Sequence, residues 1–335
     1  MSSRLRWPLL ALAALLALNL VFAPGFFVLR LQDGHLYGSL VDILKNGAPT
    51  LLVALGMTLV IATRGVDLSV GAVAAIAGAV TCTHLAGAAD PGSAASAVTG
   101  MALALGLCLA LGLWNGFLVA VLGIQPIIAT LVLMTAGRGL AMLLTEGQIV
   151  TVDNAFYRQV GAGYLVLPVS ILLSGAALLA VTLLTRRTAL GLLIESVGVN
   201  PEASRLAGIR SRRIIWTCYA FAALCAGVAG LMISSNVSAA DANNAGLWIE
   251  MDAILAVVIG GTALTGGRYS LAGTLLGALI IQTLTTTVYS IGVAPEVTLV
   301  FKAVVVIAVC LAQAPKVRAL LRRPTRARTE EVATP

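Results

Sequence analysis

Charge is what this sequence has least of. Of its 335 residues, 10% are Asp, Glu, Lys or Arg, against about 25% in a soluble domain. Only two histidines are present, His35 and His84, and both fall at what reads as the outer end of the chain's apolar runs. No HExxH, no GxSxG and no catalytic pair of carboxylates occurs, so metallo- or serine-hydrolase chemistry has no side chains to run on. The nearest approach to a phosphate-binding loop is GTALTGGR at 261–268. It lacks the lysine followed by Ser or Thr, which excludes nucleotide binding by that route. The five cysteines (Cys82, Cys108, Cys218, Cys225 and Cys310) all lie in apolar runs without a CxxC pair. They read as small buried hydrophobes rather than metal ligands or disulfides. No catalytic residue, metal site or cofactor is expected.

What the chain has instead is hydrophobicity, 59% of residues with a mean hydropathy of +1.00. Its apolar runs repeat at lengths of roughly 18–25 residues, enough to cross a bilayer as helices. Only helices and closed barrels satisfy their backbone in lipid, and Leu/Ala/Gly-rich runs without strict alternation select helices. The fold class is therefore all-α, a polytopic transmembrane bundle of about ten spans: 8–29, 46–63, 69–88, 94–114, 117–144, 165–185, 214–234, 252–265, 270–290 and 296–314. Residues 1–315 form the membrane domain and 316–335 a basic tail. The first run, with Arg4 and Arg6 before an apolar stretch ending in Val21-Phe22-Ala23, imitates a signal peptide. A retained first helix is expected, since every later run is membrane-like too.

The net charge of +7 reads as topology and not as nucleic-acid binding. With both termini inside, the inner loops and tail hold sixteen of the 21 basic residues, as the positive-inside rule requires. Most acids go to the outer face, among them Asp241 and Glu250. Few carboxylates are then left near the bilayer midplane, where ion-coupled carriers keep them. Arg138 and Lys302 fall within spans, about two turns below the outer surface. They either snorkel outward or line an outward vestibule.

Three places are irregular. WNGFLVAVLGIQPIIATL (114–131) carries Gln125-Pro126 after Gly123, and proline interrupts a helix. Broken helices at membrane depth face protein or a watery cavity, so Asn115, Gln125 and Pro126 are candidates for a translocation path or a packing kink. IATRGVDLSVGA (61–72) and GTALTGGRYSLAG (261–273) look like a weak internal repeat, each leaving a span, turning at glycines with one arginine, and re-entering. Gly100, Gly106, Gly112, Gly273 and Gly277 suit close helix packing.

The third irregular place is TALGLLIESVGVNPEASRLAGIRSRRI (188–214), the longest stretch that looks water-soluble. Asn200 is a good N-cap, Pro201 fits the first helical position and Gly208 fits C′. They enclose a helix over 201–207 with Ala203, Leu206 and Ala207 on one side and Glu202 and Arg205 elsewhere. Topology alone needs arginines but no caps and no apolar stripe. The pattern fits a short helix inserted into a groove on a cytoplasmic partner.

TALGLLIESVGVNPEASRLAGI resembles the coupling segment of bacterial ABC-transporter permeases of the ribose/xylose/galactofuranose type. GMTLVIATRGVDLSVGA (56–72), the 114–131 stretch, GRG (137–139) and DAILAVVIGGTALTGGR (252–268) resemble that family in order along nearly the whole chain. ADANNAGLWIEMDAILAVVIGG (240–261) and LQDGHLYGSLVDIL (31–44) are similar to its galactofuranose-importing members. The resemblance implies a non-enzymatic membrane subunit of a sugar importer in the bacterial inner membrane. Its implied partners are a second permease chain, identical or related, a cytoplasmic ABC ATPase and a periplasmic sugar-binding protein. It implies ATPase coupling through Glu195, Gly198, Asn200, Glu202, Ala203, Ala207 and Gly208. The segment 240–252, with Asp241, Asn243, Asn244, Trp248 and Glu250, is the candidate for contact with the binding protein or the sugar. The alternative class is an ion-coupled or facilitative sugar carrier working without an ATPase.

Overall fold

The structure, a computed structural model, describes residues 3–22, 25–32 and 34–292, with 297, 299–304 and 307. Along them run α1 (Ser3–Phe22), a β1–β2 ribbon (Arg30–Gln32, His35–Tyr37), α2 (Ser39–Ala62), α3 (Val70–Gly87), α4 (Ala94–Ala120) and α5 (Pro126–Leu144). There follow β3 (Val150–Thr151), α6 (Ala155–Gly161), α7 (Val169–Arg187), α8 (Leu190–Val199), α9 (Pro201–Leu206) and α10 (Ser211–Val237). β4 (Ala239–Ala240), α11 (Ile249–Ile259) and α12 (Leu271–Ser290) complete the set. Among the described residues, eight helices are long and apolar enough to cross a bilayer: α1 to α5, α7, α10 and α12. The expected tail and most of the expected span 296–314 lie outside the described residues.

The expectation of a helical bundle holds, with two departures in its layout. The run 252–265 is not a full span. α11 has 11 residues, about 16 Å against a hydrocarbon core of about 30 Å. It stops at Gly260-Gly261, where Gly261 adopts a φ of +86°. The boundary between the fourth and fifth expected spans also moves. α4 runs unbroken through Asn115 and Gly116 to Ala120, because the space a side chain would take at Gly116 is filled by Trp216. The break falls at 121–125, and Pro126 opens α5 at its first turn, where its missing N–H costs nothing. The proline therefore separates two helices and kinks neither. Two short antiparallel ribbons, β1–β2 and β3–β4, add a little strand to the expected all-α fold.

α2, α3 and α10 form the centre. From Leu51 to Ala62 every residue of α2 is buried, and the stretch is apolar all round, as an interior helix must be. α1, α4, α5 and α7 leave most of their surface outward. Small residues set the closest approaches. A Cβ at Gly230 would overlap the Ala74 carbonyl, and one at Gly273 or Gly277 would overlap the backbone of α11. Gly106, by contrast, faces open space, so its expected packing role is absent here. At one end of the bundle the β1–β2 ribbon packs on the 164–168 loop, with His35 Nδ1 2.9 Å from the Leu165 carbonyl and the Lys45 ammonium 5.2 Å from the Tyr164 ring centre.

Candidate functional site

The segment 188–214 folds as two helices, α8 and α9, where sequence signals mark only the second. Asn200 caps α9 as expected, its Oδ1 accepting from the N–H groups of Glu202 (3.1 Å) and Ala203 (3.0 Å). Gly208 takes the left-handed conformation at φ +84°. Ser204 faces inward, and Ser211 Oγ donates to the Pro201 carbonyl at 3.0 Å. Ala203, Leu206 and Ala207 all face out, with Leu206 77% exposed. Glu202 and Arg205 pair with each other at 2.6 Å. The Arg205 guanidinium holds the Glu202 carboxyl below its usual range. Glu195 is half-buried on α8, beside a cavity of about 340 Å³ that Arg186, Tyr269 and Ser270 also line.

The base of this segment is locked to the rest of the molecule at one junction. α2 ends in a Schellman turn: Arg64 N donates to Ile61 O at 2.9 Å and Gly65 N to Val60 O at 2.9 Å. The left-handed position of that turn, usually glycine, is Arg64 at φ +66°, which costs on the order of 1 kcal/mol. Its side chain crosses to the end of α8, where Nε donates to Gly198 O at 2.6 Å and Nη2 donates to Val199 O. These are carbonyls without an intrahelical partner, at the negative end of the helix dipole, so a guanidinium is the fitting cap. Gly198 lies against the Ala62 carbonyl and Gly267 N, leaving no room for a Cβ. Gly267 N donates to Ala62 O at 2.9 Å. The two stretches read as a weak repeat thus meet each other and the end of α8. Sequence reading gave Arg64 no role beyond topology, and its signal was an arginine where a helix C′ favours glycine.

Beyond Arg64 the chain turns inward. Asp67 is 1% exposed; its Oδ1 accepts from Ser69 Oγ at 2.6 Å and Ser69 N at 3.0 Å. Asn115, fully buried on α4, donates through Nδ2 to Ser69 Oγ at 3.0 Å. Thr130 of α5 reaches the Val66 carbonyl at 3.4 Å. Asp67 Oδ2, Asn115 Oδ1 and Tyr219 Oη are buried without a hydrogen-bond partner. Burial pushes the Asp67 carboxyl up, against the two Ser69 contacts that lower it. Pro126, half-buried, meets this cluster only through its carbonyl, which accepts from Thr130 Oγ1 at 2.9 Å; Gln125 beside it is exposed at the α4–α5 turn.

The 241–250 stretch is anchored on one side to the bundle and exposed on the other. Arg138 of α5 donates through Nη1 to Ala242 O (2.9 Å) and Ala245 O (2.7 Å). Six residues separate it from the end of α5, about 9 Å along the axis. Ala242 packs with Ala75, Ile76 and Ala79 of α3, and the carboxylate of Glu250 abuts Gly71. Glu250 is 4% exposed, so, like Asp67, it is a carboxylate enclosed by protein. Asp241 Oδ1 accepts from the N–H groups of Asn243 and Asn244, and Asn244 Nδ2 donates to Oδ2 at 2.7 Å. The Asn244 amide, with those N–H groups, holds the Asp241 carboxyl below its usual range. Asn243, Asn244 and Trp248 remain exposed, Trp248 in a left-handed conformation at φ +65°. The Arg138 guanidinium is tied to the Ala242 and Ala245 carbonyls and anchors the turn. Lys302 pairs with Asp252 of α11 at 2.8 Å, so it too is tied inward.

Eight span-length helices among the described residues, with a half-length helix and a capped, exposed helix beside them, mark a multi-pass membrane protein. Residues 39–310 match the family described as "Branched-chain amino acid transport system / permease component", and the chain belongs to that family. It is 48% identical over 331 residues to the galactofuranose transporter permease protein YtfT of Escherichia coli K12, covering 95% of this chain and 94% of that one. It is 40% identical over 327 residues to the fructose import permease protein FruF of Bifidobacterium longum (96% and 90%). Against the ribose import permease protein RbsC of Escherichia coli K12 the identity is 36% over 304 residues (89% and 90%). No solved structure matches the chain. It is a multi-pass protein of the bacterial inner membrane, in a family whose sugar-importing members cover nearly its full length.

Proposed function

We propose that the chain is the membrane-spanning subunit of an ATP-driven monosaccharide importer, working by alternating access with both termini inside. The observation that carries the reading is the near-complete alignment with a galactofuranose permease; galactofuranose is the first sugar to test, with other hexoses and pentoses next. The exposed apolar side of α9 supports docking on a cytoplasmic ABC ATPase. An alanine–leucine face left uncovered by the described residues, on a helix too short to be stable alone, suits insertion into a partner groove. Asn243, Asn244 and Trp248 support a sugar path between two permease chains. Polar amides on a turn tied to Arg138 of the span-length helix α5 are costly against lipid. They suit a wet passage where amides meet hydroxyls and an indole meets a sugar ring. A periplasmic sugar-binding protein would deliver substrate at that end.

The interior carboxylates Asp67 and Glu250 favour a second reading, an ion-coupled carrier. Co-purification separates the two. The chain is expressed with its neighbouring cytoplasmic and periplasmic proteins, solubilised gently, and its partners are weighed. Recovery of an ATPase that is lost on disrupting 200–208 supports the importer. Recovery of the chain alone, with uptake driven by an ion gradient, overturns it.

A further inference from the structure

We infer that Arg64 is a positioning residue that carries displacement of the coupling segment into both glycine-rich turns at once. The inference rests on the importer reading above. α9 follows the end of α8 with Asn200 alone between them, so a pull on α9 arrives at Gly198 and Val199. Those two carbonyls are held by Arg64. Arg64 is the hinge residue of the α2–α3 turn, and its Cγ and backbone N face Gly266. The adjacent Gly267 donates to Ala62 O at 2.9 Å. One residue thereby touches three segments far apart in sequence: its backbone ends α2, its guanidinium holds the end of α8, and its Cγ and backbone N meet the turn between α11 and α12.

What lies on the far side of each turn makes the connection matter. The 63–69 turn ends in Ser69, whose Oγ donates to Asp67 and accepts from Asn115 Nδ2 of α4. The 262–270 turn leads back through α11 to Glu250 and to the 241–248 turn held by Arg138. Movement of the α8 end is therefore delivered to the helices around the proposed sugar path and not absorbed in a loop. The backbone of Arg64 supports the same role. A side chain that only fixed topology would not need to occupy a left-handed position that glycine fills without strain.

The test uses the whole complex, with its ATPase and binding protein, in vesicles of phosphatidylethanolamine and phosphatidylglycerol. Sugar uptake and ATP hydrolysis are measured together for wild type, Arg64→Ala and Arg64→Lys. The expected result is ATPase retention within about twofold of wild type but a fall of at least about tenfold in sugar moved per ATP for Arg64→Ala. Arg64→Lys, which keeps the charge but loses the forked donor, falls between. Sugar moved per ATP within about twofold of wild type in both variants overturns the inference and leaves the importer reading standing. Wild-type protein that binds no ATPase overturns both. If Arg64→Ala fails to assemble, Arg64→Lys decides; failure of both to reach the membrane makes Arg64 a folding residue and also overturns the inference.

Discussion

Asn200→Ala tests whether α9 must be a formed helix before it can dock. The side chain accepts from two backbone N–H groups, at 3.1 and 3.0 Å. Removing such a cap costs about 1 kcal/mol. In a long helix that loss is diluted, but α9 has six residues, too few to hold their own nucleus. The local stability of so short a helix is small, so about 1 kcal/mol translates into about a fivefold drop in the formed-to-frayed ratio. If only the formed helix enters the ATPase groove, apparent affinity falls in proportion to the competent fraction. Titration of the ATPase onto permease in nanodiscs should then show binding weakened by up to about fivefold. Hydrogen exchange at residues 202–206 should accelerate to match, and Asn200→Asp should restore both, since a carboxylate caps equally well. Faster exchange with unchanged affinity would refute the premise that docking selects a preformed helix. Unchanged exchange would refute the premise that the cap holds it.

Three further outcomes are expected. Gly208→Pro cannot adopt φ +84° and loses the N–H donated to Arg205 O; it should reach the membrane yet lose the ATPase on co-purification, and normal ATP-driven uptake would count against α9 as the docking element. Arg138→Gln removes charge-assisted bonds to two carbonyls, each contributing about 1.5–3 kcal/mol. Amide exchange at 242–248 should quicken and uptake fall with ATPase binding intact, and unchanged exchange would show that another group holds the turn. Asp67→Asn keeps an acceptor for Ser69 while removing a buried charge. Because burial raises the Asp67 pKa, wild type loses stability as pH rises from the ordinary carboxylate range through the raised value. The Asn variant should therefore gain thermal stability over wild type at pH 8 and little at pH 4, and an equal difference at both would rule out the titration.

The sequence made α9 legible because everything that bounds it is local: Asn200, Pro201 and Gly208 each act on the backbone beside them. The eight long helices were legible for a similar reason, since an unbroken apolar run needs no partner to declare itself. α11 was misjudged because IEMDAILAVVIGGTALTG stays apolar past the point where the helix stops. Hydropathy does not register a glycine pair that ends a helix inside the bundle. The anchoring of the 241–248 turn was hidden because its holder, Arg138, lies over a hundred positions away, and the burial of Glu250 has no local signal. Arg64 was hidden for the same reason, since its partners on α8 are 134 and 135 residues distant. Non-local polar contacts carry no period in the sequence.

At the junction of Ala62, Gly198 and Gly267 the chain meets itself main chain to main chain. Side chains are the compliant part of a protein interior, able to change rotamer and take up a few tenths of an ångström. Peptide planes are stiff. Each member of the joint is stiff, but the members are held together by one hydrogen bond, Gly267 to Ala62, and by contact, so it is the Arg64 side chain that keeps the end of α8 from slipping against the other two. Such a joint is also hard to adjust by substitution, since an added methyl group at Gly198 would pry the members apart. The peptide planes are fixed by covalent geometry, which leaves the Arg64 side chain as the adjustable part of the joint.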